Sequence, residues 1–167
     1  TLIVEPPVTF QVDNLDQLEF LPGVLRNLYF IRKNLDFELV IVSNQDGLGT
    51  PSNPQENFDK VQAKMLQTFE NEGVTFDDIL IDPSLPEENK PTRKPGIAML
   101  TKYTSGDYDL ENSYVIGDRP TDMQMAQNLG CKGLYLGTEE VTLPNCRACK
   151  NWDEVCEIVF AVERVVA

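Results

Sequence analysis

Residues 113–122 read Ser-Tyr-Val-Ile-Gly-Asp-Arg-Pro-Thr-Asp. An apolar run ends on a glycine, an aspartate and an arginine, and a helical pattern follows. In a parallel sheet, a buried strand delivers its last residues to the carboxyl edge, where ligands sit. Ser113–Asp118 is therefore predicted as such a strand, and Thr121–Leu129 as the helix after it. Thr121 is the expected N-cap and Gly130 the expected stop.

Outward from this stretch the same alternation repeats. Glu38–Asn44 is expected to be a buried strand, because Leu39, Val40, Ile41 and Val42 are consecutive. Phe58–Glu72 carries Phe58, Val61, Met65 and Phe69 at helical spacing, with Gly73 as its stop. Asp77–Asp82 and Gly133–Leu136 predict two further strands. Val24–Leu35, Pro95–Tyr103 and Trp152–Val166 predict further helices. This βα alternation implies an α/β fold, a three-layer Rossmann-like parallel sheet with helices on both faces. The stretches between strands are too short for a large inserted cap domain. One domain spanning 1–167 is the expectation.

The 167 residues carry a formal net charge of −13, which argues against nucleic acid as a partner, since phosphate backbones attract Lys and Arg. No apolar run approaches a membrane span, and no charged-then-apolar leader precedes Thr1. A cytoplasmic protein with no membrane partner is expected. The four cysteines, Cys131, Cys146, Cys149 and Cys156, all lie in the last quarter of the chain, and there is no histidine. Cys146-Arg-Ala-Cys149 has metal-ligand spacing but no second pair, so reduced thiols are the preferred reading.

In a parallel sheet Ser43, Asn44, Lys94 and Asp118 are expected at one edge. A hydroxyl, an amide, an ammonium and a carboxylate suit a phosphate and its metal. Ser43 and the backbone N–H groups after it are candidate donors to phosphate oxygens. Lys94 is the candidate to neutralise charge on those oxygens. Asp118 offers a hard oxygen to Mg²⁺, and Asp122, one helical turn on, can bind the same ion or orient its waters.

VSNQDGLGT (residues 42–50), RKP (93–95) and VIGDRPTD (115–122), taken together, resemble the haloacid dehalogenase superfamily of phosphatases. More narrowly, the chain resembles the histidinol-phosphate phosphatase domain, which in some bacteria is fused to imidazoleglycerol-phosphate dehydratase. The likeness begins at Thr1-Leu-Ile-Val-Glu5-Pro-Pro and passes Phe10-Gln-Val-Asp13 and Phe20-Leu-Pro-Gly23. NQDGLGT is its most specific piece.

The resemblance implies Mg²⁺-dependent hydrolysis of a small phosphate ester, L-histidinol phosphate, through an aspartyl-phosphate. It implies that Ser43 and Asn44 bind phosphate, Lys94 stabilises it, Asp118 holds metal and Asp122 supports it. Glu5 is a candidate contact to the substrate's amine or imidazole, with Asp46 and Arg93 as weaker candidates.

The family opens on an apolar strand and Asp-x-Asp-Gly-Thr, and Thr1 matches the last residue of that motif. The nucleophile, the general acid and a central strand are therefore expected just before Thr1, and a fused dehydratase domain after residue 167. Some members carry a zinc loop before RKP. Here the matching positions are Asp82, Ser84, Lys90 and Thr92, which cannot replace thiolates and imidazole, so no structural zinc is expected. The loop is then expected to be held by Pro83, Pro86 and Pro91.

Two other function classes remain. A sugar phosphate or bisphosphate phosphatase would share the superfamily motifs. A catalytically dead binding or assembly domain would explain a chain with no nucleophile. A receiver domain would want Asp where Ser43 stands.

Overall fold

A computed structural model describes residues 1–7 and 11–163, with side chains through residue 161. The chain forms two compact units, Leu2–Leu85 and Pro86–Ala167, the second of which also includes Thr1.

In the first unit, α1 (Val24–Asn34) precedes β1 (Val40–Asn44), α2 (Gln55–Asn71) and β2 (Asp78–Asp82). β1 and β2 pair in parallel from Val40 opposite Asp78 to Asn44 opposite Asp82. The core takes Val24, Leu28 and Ile31 from α1 and Val61, Met65 and Phe69 from α2. Spacings of three and four put these residues on one inward helix face. Phe69 is fully buried and meets Phe20 and Phe76 edge-on, with ring centroids 5.4 and 5.3 Å away. α2 stops as its sequence requires. Gly73 takes a left-handed φ of 80°, which brings its N–H to Glu70 O and the Val74 N–H to Phe69 O. That pair of bonds satisfies the last carbonyls of the helix.

At its start, this unit pairs with itself. Ile3 bridges antiparallel to Phe20, the Val4 N–H donates to Glu19 O and the Leu21 N–H to Leu2 O. Two widely separated pieces of the family likeness, Leu2–Pro7 and Phe20–Gly23, are thus neighbours.

In the second unit, β3 (Tyr114–Gly117), α3 (Pro120–Leu129), β4 (Lys132–Tyr135), β5 (Cys146–Ala148) and α4 (Trp152–Glu163) follow in order. β3, β4 and β5 are parallel, with Gly117 opposite Tyr135 and Tyr135 opposite Ala148. The strands form two parallel sheets, of two and three strands. No helix among the described residues is long and apolar enough to cross a membrane.

Three expectations need correction. Pro95–Tyr103 is not an α-helix. Ala98–Leu100 makes one 3-10 turn, because the Gly96 and Ala98 amides are used on Arg93 O and Pro91 O. Thr121 is not the cap of α3. Arg119 is, Pro120 takes the first helical position, and the Asp122 carboxylate accepts from the Arg119 N–H at 3.0 Å. The loop after β2 is held by more than its prolines. The buried Asp82 carboxylate accepts from the Ser84 N–H at 2.9 Å and from the Ser84 hydroxyl. The expected helix to Val166 is seen as far as Glu163, and residues 164–167 lie outside the described residues, as does Phe10.

All four cysteines are free. Cys131 is buried, and the desolvation pushes its thiol up from 9.0 to about 11. Two pH units mean about 100-fold less thiolate, which is the reactive form. At pH 8, mass mapping should find Cys131 alkylated about 100-fold more slowly in native protein than in urea-unfolded protein. Equal rates would show that the thiol is not held in the core.

Candidate active site

β1 carries Ser43 and Asn44 to its carboxyl end, as the apolar run before them dictates. The Ser43 hydroxyl accepts a hydrogen bond from Gln45 Nε2 at 2.8 Å. With its acceptor side occupied, the hydroxyl's own proton points to another acceptor. Gln45, which lies inside NQDGLGT, is placed to orient that hydroxyl.

The loop after β1 is closed on itself. The Gln45 N–H bonds Asp82 O at 2.8 Å, Gly47 bonds Pro83 O at 3.1 Å, and Gly49 bonds Asn53 O at 2.9 Å. Leu48 and Thr50 bond Gln45 O and Gly47 O. Asp46 O accepts from Asn53 Nδ2 at 3.2 Å and from Gln11 Nε2 at 3.4 Å. These five amides hold the loop's shape. Glu5 is exposed, one residue beyond the stretch paired with Glu19–Leu21.

In the second unit the structure brings Lys94 and Asp122 together, with Nζ 2.8 Å from Oδ1 and both side chains largely buried. Asp122 is 4% exposed. Its Oδ2 accepts the Arg119 N–H, so both oxygens are engaged. In this arrangement Asp122 holds Lys94 in place and starts α3. Gly117 makes the arrangement possible, since a Cβ there would lie well under 3.0 Å from the Asp122 side chain. Arg93 is half-buried and its backbone forms the turn that presents Lys94, with its N–H on Lys90 O and its carbonyl receiving the Gly96 N–H.

Asp118 leaves the end of β3 and meets Thr1. The Thr1 hydroxyl donates to Asp118 Oδ1. Asp118 offers a hard carboxylate oxygen at the end of β3. Among the described residues no three acids, thiols or imidazoles gather to hold a metal. Asp118 fits as one Mg²⁺ ligand, and the remaining ligands must come from elsewhere. Lys90 pairs at 3.8 Å with the exposed Glu88.

The HAD-hydrolase-like family matches residues 91–157, which include Lys94, Asp118 and Asp122. The histidine biosynthesis bifunctional protein HisB of Bacteroides fragilis is 54% identical over 98% of this chain and 46% of its own. The chain belongs to the HAD-like hydrolases. A second HisB, from Actinobacillus pleuropneumoniae, is 45% identical over 95% of this chain and 46% of its own. The chain spans about half the length of the curated relatives it matches. Among solved structures, the D,D-heptose 1.7-bisphosphate phosphatase from B. bronchiseptica, complexed with magnesium and phosphate, superposes with a TM-score of 0.83. It covers 97% of this chain and 95% of its own at 23% identity, a likeness of fold.

Proposed function

We propose that this chain is the histidinol-phosphate phosphatase domain of a bifunctional histidine-biosynthesis enzyme. The observation that carries the reading is the 54% identity to a HisB across 98% of the chain. The NQDGLGT loop and the Lys94–Asp122 pair support it. The reaction is hydrolysis of a phosphate monoester to an alcohol and phosphate.

In this reading residues 1–167 form a single phosphatase domain. The Asp-x-Asp-Gly-Thr motif ending at Thr1 supplies a nucleophile and a general acid from the residues before it. A carboxylate oxygen attacks phosphorus, the ester P–O bond breaks, and the second aspartate gives its proton to the leaving alcohol. That aspartate then takes a proton from water, whose oxygen attacks phosphorus as the aspartyl O–P bond breaks, which frees phosphate and the first carboxylate. Lys94 holds its ammonium against the charge on the phosphoryl oxygens. The Ser43 hydroxyl, oriented by Gln45, donates to phosphate, and Asn44 lies beside it on the chain. Asp118 would hold Mg²⁺, whose contribution is further neutralisation of phosphate charge. Glu5, Asp46 and Arg93 are the candidates for substrate contact. A dehydratase domain after residue 167 and a cytoplasmic location belong to the same proposal.

Protein made from the whole gene should release phosphate from L-histidinol phosphate only when Mg²⁺ is present. It should do so at least about 10-fold faster, in kcat/KM, than from a sugar bisphosphate, since polar recognition of a substrate group is worth a decade or more. Preference for the sugar ester would replace the substrate. Silence on both would leave the binding or assembly reading.

A further inference from the structure

We propose that Trp152 is a positioning residue for the metal-binding carboxylate of Asp118 and acts on it through Thr1. This rests on the phosphatase reading above. Trp152 is the first residue of α4 and is 2% exposed. A buried indole N–H needs an acceptor. The acceptor here is the main-chain carbonyl of Thr1, 3.1 Å from Nε1. The hydroxyl of the same threonine donates to Asp118 Oδ1. One residue is thus held at both ends, its backbone by Trp152 and its side chain by Asp118. The carbonyl and the hydroxyl of Thr1 are the same groups whatever residue precedes it.

The indole is itself fixed. The Asn151 side chain accepts the Glu154 N–H at 3.0 Å, and the Glu154 carboxylate accepts the Lys150 N–H at 2.9 Å. This reciprocal capping fixes the entry to α4. Just before it, the Cys149 N–H bonds Tyr135 O at 2.7 Å, which ties the entry to β4, the neighbour of the strand that carries Asp118. The last helix therefore has a hydrogen-bonded route to the carboxylate ending β3. Outer partners of a metal ligand commonly set metal affinity by 10- to 100-fold.

The test uses protein made from the whole gene and reads Mg²⁺ binding by calorimetry, beside thermal unfolding and phosphate release. Trp152→Phe should weaken Mg²⁺ binding about 10-fold. Thr1→Val, which removes the hydroxyl and keeps the carbonyl, should weaken it similarly. The double variant should be no more than about twofold worse than either, because the two act in one series. Should Trp152→Phe fail to fold, 3-benzothienylalanine at 152 removes the N–H and keeps the ring shape. A dissociation constant within about twofold of the parent's, even with a lowered melting temperature, would make Trp152 a packing residue and overturn the proposal. Multiplying effects in the double variant would overturn it too. A parent that binds no Mg²⁺ and releases no phosphate would remove the phosphatase reading, and this inference with it.

Discussion

Lys94→Met is expected to lower kcat/KM for phosphate release by about 10²- to 10³-fold, the loss typical when a donor aimed at developing oxyanion charge is removed. The same substitution should destabilise the fold. Lys94 is the ion-pair partner of Asp122, at 2.8 Å, and Asp122 is 4% exposed. Removing one partner of such a pair leaves a buried charge, at a cost of about 3–5 kcal/mol. The two effects can be separated. Asp122→Asn in the Lys94→Met background removes the stranded charge and keeps an oxygen for the Arg119 N–H. Urea unfolding of the double variant should recover most of the lost stability, while phosphate release stays low. Recovery of both would mean that Lys94 serves the fold and not the phosphate. Unchanged release in Lys94→Met alone would remove it from the reaction.

What the sequence made legible follows from which forces are local. Leu39–Val42 and Tyr114–Ile116 are consecutive apolar residues bounded by polar ones, so the strands ending at Asn44 and Gly117 could be read directly. Val61, Met65 and Phe69 mark one face of α2 for the same reason. The failures lie where the deciding partner is distant or the spacing is ambiguous. Ile97, Leu100 and Tyr103 are three apart, which suits 3-10 turns as well as an α-helix. The choice was made by Pro91 and Arg93 carbonyls that take the next amides. β5 is only Cys-Arg-Ala, too short and too polar to show a period. The direction of the Asp122 side chain is set by the glycine opposite and by a lysine from an earlier loop, which no local spacing shows. The indole of Trp152 and the carbonyl of Thr1 meet across the whole described chain, beyond any pattern in the sequence.

Gly117→Ala should lower activity about 100-fold without removing a polar group. Gly117 ends β3, buried, in register with Tyr135, and its carbonyl accepts the Leu136 N–H at 2.8 Å. The strand therefore has little freedom to retreat. A Cβ at 117 would lie well under 3.0 Å from Cβ, Cγ and Oδ2 of Asp122. Cβ is fixed to the first turn of α3, so no side-chain rotation relieves the clash. The helix start must move. Overpacking of this kind costs about 1–3 kcal/mol, and the backbone-anchored contact puts this case at the upper end. As the first turn shifts, Asp122 leaves the Arg119 amide and Lys94 together, and the ammonium loses its anchor. A misplacement of about 1 Å in a positioning group can cost about 100-fold in rate. Urea unfolding should therefore show a loss of about 3 kcal/mol, and kcat/KM should fall about 100-fold. Stability within about 1 kcal/mol of the parent with unchanged kcat/KM would mean that α3 slides on β3, and that the close approach of Gly117 to Asp122 does not hold the site.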